Sequence, residues 1–307
     1  MTEKTALDVH SQTQLVHLER IADALLQGQK LSKVICYVVL SELSKHGSPF
    51  YPRVLDVLEQ HDKDPRTAKV RDDLTQEYHI AVRVKEVIGS KFHDDYYLQL
   101  LELDKPVLVG GGPRLAVIFT TKFNNFYIAN YTLAAMLAAR GYGCLFLKDI
   151  SSFQYLNGIP GLGSNWDSSM QALGELISKT YEDVVFTGFS SSSYAALMAA
   201  LQFRPRKFVG FSISANLDPA SPLPFPKLMP AEVREKVPLN LRIDLAAKTQ
   251  QSDLVVDLFT GADSQNDIKH AAAFDGFANV NSTIIPGIGH IVIRPLLLQE
   301  KLIDIFL

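Results

Sequence analysis

Ser190 stands at the junction of two contrasting stretches. Val184-Val185-Phe186-Thr187-Gly188-Phe189 precedes it and Ser191-Ser192-Ser193-Tyr194-Ala195-Ala196-Leu197 follows it. The first reads as a buried strand and the second as the start of an Ala-rich helix. A serine at such a corner is pushed out above the sheet with its hydroxyl exposed. The backbone N–H groups after it, that of Ser191 first, then point at whatever negative charge develops there. Gly188, two residues before the serine, is small enough to let strand and helix approach closely. The chemistry such a corner offers is nucleophilic attack, and a serine hydroxyl needs a positioned base for it. Without such partners, serines 190–193 would read only as an N-cap and polar helix start.

After residue 93 the chain offers two histidines, His270 and His290. His290 lies in Pro286-Gly287-Ile288-Gly289-His290, a glycine-rich loop directly after the last apolar strand-like run. That is a place from which an imidazole can reach over a sheet edge. His270 falls in a helical stretch and reads as a surface residue. For the acid, the run 254–259 leads through Gly261 to Asp263 and Asp267, and both qualify. Asp263 is the preferred one, since it is nearer the strand end from which a carboxylate accepts the histidine's Nδ1–H and fixes its tautomer. Asp267 is better placed to cap a helix expected over 268–277.

Gly188-Phe189-Ser190-Ser191-Ser192 resembles the Gly-x-Ser-x-Gly nucleophile elbow of the α/β-hydrolase superfamily, and Tyr194-Ala195-Ala196-Leu197 resembles the helix start common in its esterases. The departure is Ser192, whose Cβ stands where the pattern has its second glycine. The order serine, acid, histidine is also that of the superfamily. The resemblance implies a serine esterase or deacylase working through an acyl-enzyme, with Ser190 attacking, His290 as base, and Ser191 N–H in the oxyanion hole. It implies a second oxyanion donor after an earlier strand, here the N–H of Thr121 or Lys122. Phe189, Tyr155 and Trp166 are the expected substrate contacts. Roughly the last two hundred residues also look similar to a bacterial branch associated with glycan biosynthesis, which implies an acyltransferase or deacylase acting on a glycan ester. A reading of another class is a hydrolase-fold binding module without catalysis, motivated by Ser192 and a sparse lid.

These residues need a framework. After Pro106, short apolar runs (115–119, 144–147, 184–186, 208–213, 254–259, 283–285) alternate with helical stretches (129–139, 168–178, 194–202, 268–277). Such alternation predicts a mostly parallel sheet covered by helices on both faces, with functional loops at the carboxyl ends of its strands. Residues 106–307 are thus expected to form an α/β-hydrolase-like domain. Residues 1–105 carry apolar positions at helical spacing and are expected to form a smaller all-helical region. Gly110-Gly111-Gly112-Pro113 reads as a turn between strands, and the Pro-rich piece 218–238 as a lid or an ordinary crossover insertion.

Composition narrows the classes further. Hydrophobic residues make up 47% and the net charge is −3, which suits a globular protein and gives no electrostatic case for nucleic acid or an anionic membrane. Cys36 and Cys144 both sit in apolar runs and read as buried hydrophobes. No signal peptide or membrane span is expected, and a reducing cytoplasm is the default. Neither metal-ligand spacing nor a dinucleotide fingerprint occurs, so no cofactor or metal is expected. The expected partner is a small-molecule or glycan ester.

Overall fold

A computed structural model of the chain describes residues 104–307, except 123, 129, 178–180, 219 and 224–228, together with Glu59, Asp72, Thr75 and His79. Those four early residues are helical; the rest of the expected helical region over 1–105, Cys36 included, lies outside the described residues apart from residues 104 and 105. The chain divides into two units, Met1–Gly89 and Ser90–Leu307. The sheet belongs to the second.

Among the described residues there is one seven-stranded sheet in the order β1-β3-β2-β4-β5-β6-β7. Its strands are β1 (Val107–Val109), β2 (Arg114–Phe119), β3 (Tyr142–Leu147), β4 (Asp183–Phe189), β5 (Lys207–Phe211), β6 (Val255–Gly261) and β7 (Val280–Ile285). Only β1 runs antiparallel, against β3; the remaining five pairings are parallel. The central strands β2 to β5 are continuous apolar runs because both of their faces are covered. β7 lies at the edge of the sheet and is largely exposed.

Helices α1 (Asn130–Ala138), α2 (Trp166–Ile177) and α3 (Ser191–Phe203) connect the first parallel strands. In α2 the buried positions Trp166, Ser169, Met170, Leu173 and Ile177 recur at helical spacing, so one face is turned to the core. α3 is buried along its first ten residues, from Ser191 to Ala200, and packs on β4, β5 and β2. A helix apolar on every side belongs in a core. The expected lid piece 218–238 is described only in part; its later portion is the short helix α4 (Ala231–Lys236). α5 (Leu245–Gln250), α6 (Gln265–Ala272) and α7 (Ile293–Leu298) follow. No described helix is long and apolar enough to cross a membrane.

The register brings the carboxyl ends of the strands to one rim. Phe119 of β2 stands opposite Leu147 and Gly188, Phe189 opposite Phe211, Phe211 opposite Phe259, and Gly261 opposite Ile285. From β2 the chain crosses to β3 on one side and later returns to β4 on the other. The crevice between the ends of β2 and β4 is therefore the switch point of the sheet, where open α/β sheets place their sites.

Two close approaches fix that rim. A Cβ on Gly188 would lie 2.7 Å from both Ala196 Cβ and Ser193 Cα, so glycine there lets α3 sit directly on β4. A Cβ on Gly261 would lie 2.0 Å from Gly289 O and 2.3 Å from Ile288 O, so the loop after β7 rests on bare backbone at the end of β6. Replacing Gly261 with alanine should destabilise the domain by at least about 1–3 kcal/mol, the range for overfilling a packed site. Urea denaturation followed by circular dichroism measures it; an unchanged midpoint contradicts the packing described.

Candidate active site

The elbow is built from strain held by local hydrogen bonds. Ser190 has φ 55 and ψ −119, a backbone region that side chains avoid. Its N–H donates to Phe211 O at 2.8 Å, and its carbonyl accepts from Ser193 N at 3.1 Å and from the Ser193 hydroxyl. The serine in the second glycine position of the elbow pattern adds a further tie. Ser192 Oγ accepts from Phe189 N at 3.1 Å and lies 2.8 Å from Phe119 O and 3.0 Å from Phe189 O. The hydroxyl has one proton, so it donates to one of these carbonyls at a time. Ser192 thus links the elbow to the end of β2, and its Cβ is accommodated.

Above this corner, His290 Nε2 lies 2.9 Å from Ser190 Oγ, and His290 Nδ1 lies 2.7 Å from Asp267 Oδ2. A carboxylate only accepts, so the Nδ1 proton points at Asp267 and Nε2 is left to accept the serine proton. The His290 side chain is 39% exposed and that of Asp267 only 9%, so the acid end is sheltered and the base end faces solvent. The buried ring of Phe189 stands edge-on to the imidazole with centroids 5.2 Å apart, and Tyr127 lies against Phe189 at 4.6 Å.

The carboxylate beside His290 is Asp267 and not the preferred Asp263. The helix assigned to 268–277 starts three residues earlier, as α6 at Gln265, and this puts Asp267 in its first turn facing inward. Asp263 is exposed, and its backbone N–H donates to Ile288 O at 2.9 Å, which anchors the His290 loop. Asp267 caps nothing; Ser264 holds the N-cap position. His270, read as a surface residue, is 5% exposed and accepts from Ala215 N through Nδ1 at 3.2 Å.

Other expected residues are also redistributed. Thr121 N–H is already donated to Asn125 O at 2.9 Å, so Thr121 is not the second oxyanion donor, and Lys122, half-buried in the turn after β2, is the remaining candidate. Ser191, 3% exposed, is the first residue of α3, whose leading N–H groups have no partner within the helix. Tyr155 and Trp166 are 1% and 6% exposed and belong to the hydrophobic core rather than to a substrate wall. The Tyr155 hydroxyl lies 2.8 Å from Thr120 O and 2.9 Å from Leu147 O, and burial raises its pKa above the ordinary phenol value. It locks the ends of β2 and β3 together. Cys144 is wholly buried, and burial pushes its thiol up as well.

Sequence reasoning read Ser192 only as a departure from the elbow pattern, and it assigned no part to Ser193, Ser212 or Asn125. Asn125 Oδ1 accepts from Tyr127 N at 3.1 Å and lies 3.3 Å from Thr121 Oγ1, which shapes the loop after β2. The signal for the serines was their place in runs otherwise apolar, where a hydroxyl has to find a partner. Among the described residues no group of three or more His, Cys, Asp or Glu side chains is arranged to hold a metal ion.

No protein-family model and no curated protein matches the chain. Among solved structures it is similar to one described with LipS and LipT, two metagenome-derived lipolytic enzymes, at 12% identity and a TM-score of 0.46 over 66% of this chain and 97% of that one. Another is Est1E from Butyrivibrio proteoclasticus with ferulic acid bound, at 14% identity, TM-score 0.45, 64% of this chain and 92% of that one. A lipase-esterase related protein from Clostridium acetobutylicum matches at 16% identity and TM-score 0.43, over 66% of this chain and 98% of that one.

The two carboxylates can be told apart by exchange for amides. Asp267→Asn should lower kcat for an activated acyl ester by about 10⁴-fold, the cost of losing the acceptor that fixes the histidine tautomer. Asp263→Asn should stay near the wild-type rate. Steady-state rates of the two variants reveal the acid, and the reverse ranking would reassign it.

Proposed function

We propose that this chain, an α/β-hydrolase by its sheet order and strained elbow, is a serine hydrolase that cleaves a carboxylic ester through an acyl-enzyme. The observation that carries the reading is the continuous chain Ser190 Oγ, His290 Nε2, His290 Nδ1, Asp267 Oδ2, with links of 2.9 and 2.7 Å, at the switch point of the sheet.

In the acylation step Ser190 Oγ forms a bond to the ester carbonyl carbon while its proton passes to His290 Nε2. Asp267 keeps the imidazole in the tautomer that can accept, and it offsets the charge of the imidazolium that results. The carbonyl oxygen becomes an oxyanion, held by the N–H of Ser191 and, from across the crevice, that of Lys122. Loss of one such donor typically lowers turnover about 100-fold or more. Collapse of the tetrahedral adduct breaks the C–O bond to the alcohol, which leaves with the proton from His290. Water then attacks the acyl-serine by the same route in reverse, releasing the acid and restoring Ser190. Ser192 is accommodated as a hydrogen-bonding bridge from the elbow to β2, so the departure that motivated the inert binding module does not disrupt the elbow.

A fluorophosphonate phosphonylates a serine activated in this way. The full-length chain should be labelled stoichiometrically, Ser190→Ala should not be labelled, and p-nitrophenyl acetate turnover should disappear with the label. A folded wild-type chain that resists labelling overturns the proposal. A labelled chain whose acyl group passes to a supplied sugar faster than to water is instead an acyltransferase.

A further inference from the structure

Between β5 and the rest of the chain lies a short segment that reaches all three elements of the site. Ser212 follows Phe211 directly, is buried, and has φ 47, the left-handed region that glycine adopts more easily than serine. Its N–H donates to Phe259 O at 2.9 Å, which fixes it against β6. Its hydroxyl donates to His290 O at 2.6 Å. Two residues on, Ser214 N–H donates to Ser193 Oγ at 2.9 Å, and that same hydroxyl donates to Ser190 O. Ala215 N–H donates to His270 Nδ1 at 3.2 Å, one turn beyond Asp267 on the buried face of α6. Ala215 O accepts from Leu245 N at 3.0 Å, which ties the segment to the start of α5.

We propose that residues 212–215 form a strap that sets the nucleophile, the base and the acid relative to one another, with Ser212 a positioning residue for His290. The inference rests on the reading of Ser190, His290 and Asp267 as the reacting set. Each element reaches the rim on a different loop or helix, and the Ser190–His290 and His290–Asp267 hydrogen bonds hold only if all three keep their height above the sheet. Main-chain bonds from Ser214 and Ala215 hold two of them through side chains, Ser193 and His270. For the third the direction is reversed, and the Ser212 side chain holds the main chain of the base itself. The Cβ of Ser212 makes φ 47 strained, and the hydroxyl it carries is committed to the carbonyl of His290.

Ser212→Gly separates the backbone role from the hydroxyl role, because glycine takes φ 47 at no steric cost. In the full-length chain, kcat for p-nitrophenyl acetate and the rate of fluorophosphonate labelling should fall about 10- to 100-fold, the scale of a misplaced reacting group, while KM is little changed. In a His290→Ala background the same exchange should cost about twofold or less, because the strap then has no base to position. Ser193→Ala, which cuts the link to the nucleophile, should also slow labelling and serves as the test if Ser212→Gly does not fold. Wild-type rates in Ser212→Gly or, should it not fold, in Ser193→Ala overturn the strap, as does an equal loss in the two backgrounds of Ser212→Gly. A wild-type chain inert to the fluorophosphonate overturns the catalytic reading instead.

Discussion

The site depends on how closely α3 lies against β4. A helix that starts one residue after a strand ends leaves no room for a relaxed turn, so Ser190 is forced to φ 55 and its hydroxyl projects from the corner. Such a conformation costs on the order of 1–3 kcal/mol and persists only where the surroundings over-determine it. Here Gly188 provides the space, and Ser193, Phe211 and Ser192 provide the bonds. The strain is held by the core, because α3 is buried among β2, β4 and β5 and cannot move away from them.

The remaining groups are placed by the sheet. Strands β4 to β7 are neighbours in space as well as in sequence, so loops after β4, β6 and β7 open onto the same rim. Residues 190 and 290 are a hundred positions apart and yet share a proton path, because parallel pairing aligns every carboxyl end. Opposite them, the end of β2 is tied to β3 by Tyr155 and to the elbow by Ser192, which holds that side of the crevice at a fixed distance.

Most of this architecture was legible in the sequence because buried parallel strands read as apolar runs and their intervening helices as periodic ones. The expected runs at 115–119, 144–147 and 184–186 lie inside β2, β3 and β4, and the serine corner stands out between two of the plainest elements. The carboxylate beside His290 was not the preferred one for a local reason. Proximity to the strand end favoured Asp263, but the helix begins at Gln265, and its inner face is then Asp267, His270 and Ala271. That spacing of three and four was present in the chain and marks both Asp267 and His270 as inward. Tyr155 and Trp166 misled in another way, since a large ring more often completes the core than faces a ligand. The tie made by Ser212 was not legible at all: it joins residues 78 positions apart and depends on a single left-handed backbone angle.

The contact between Gly261 and the carbonyls of Ile288 and Gly289 has a consequence for adaptability. Both surfaces of that contact are main chain, so this one support of the His290 loop does not vary with the identity of nearby side chains. Ile291, which is exposed, and the half-buried Ile288 are the larger side chains this loop carries near His290 in the chain. Exposed side chains of that loop can therefore change while the backbone beneath His290 keeps its place.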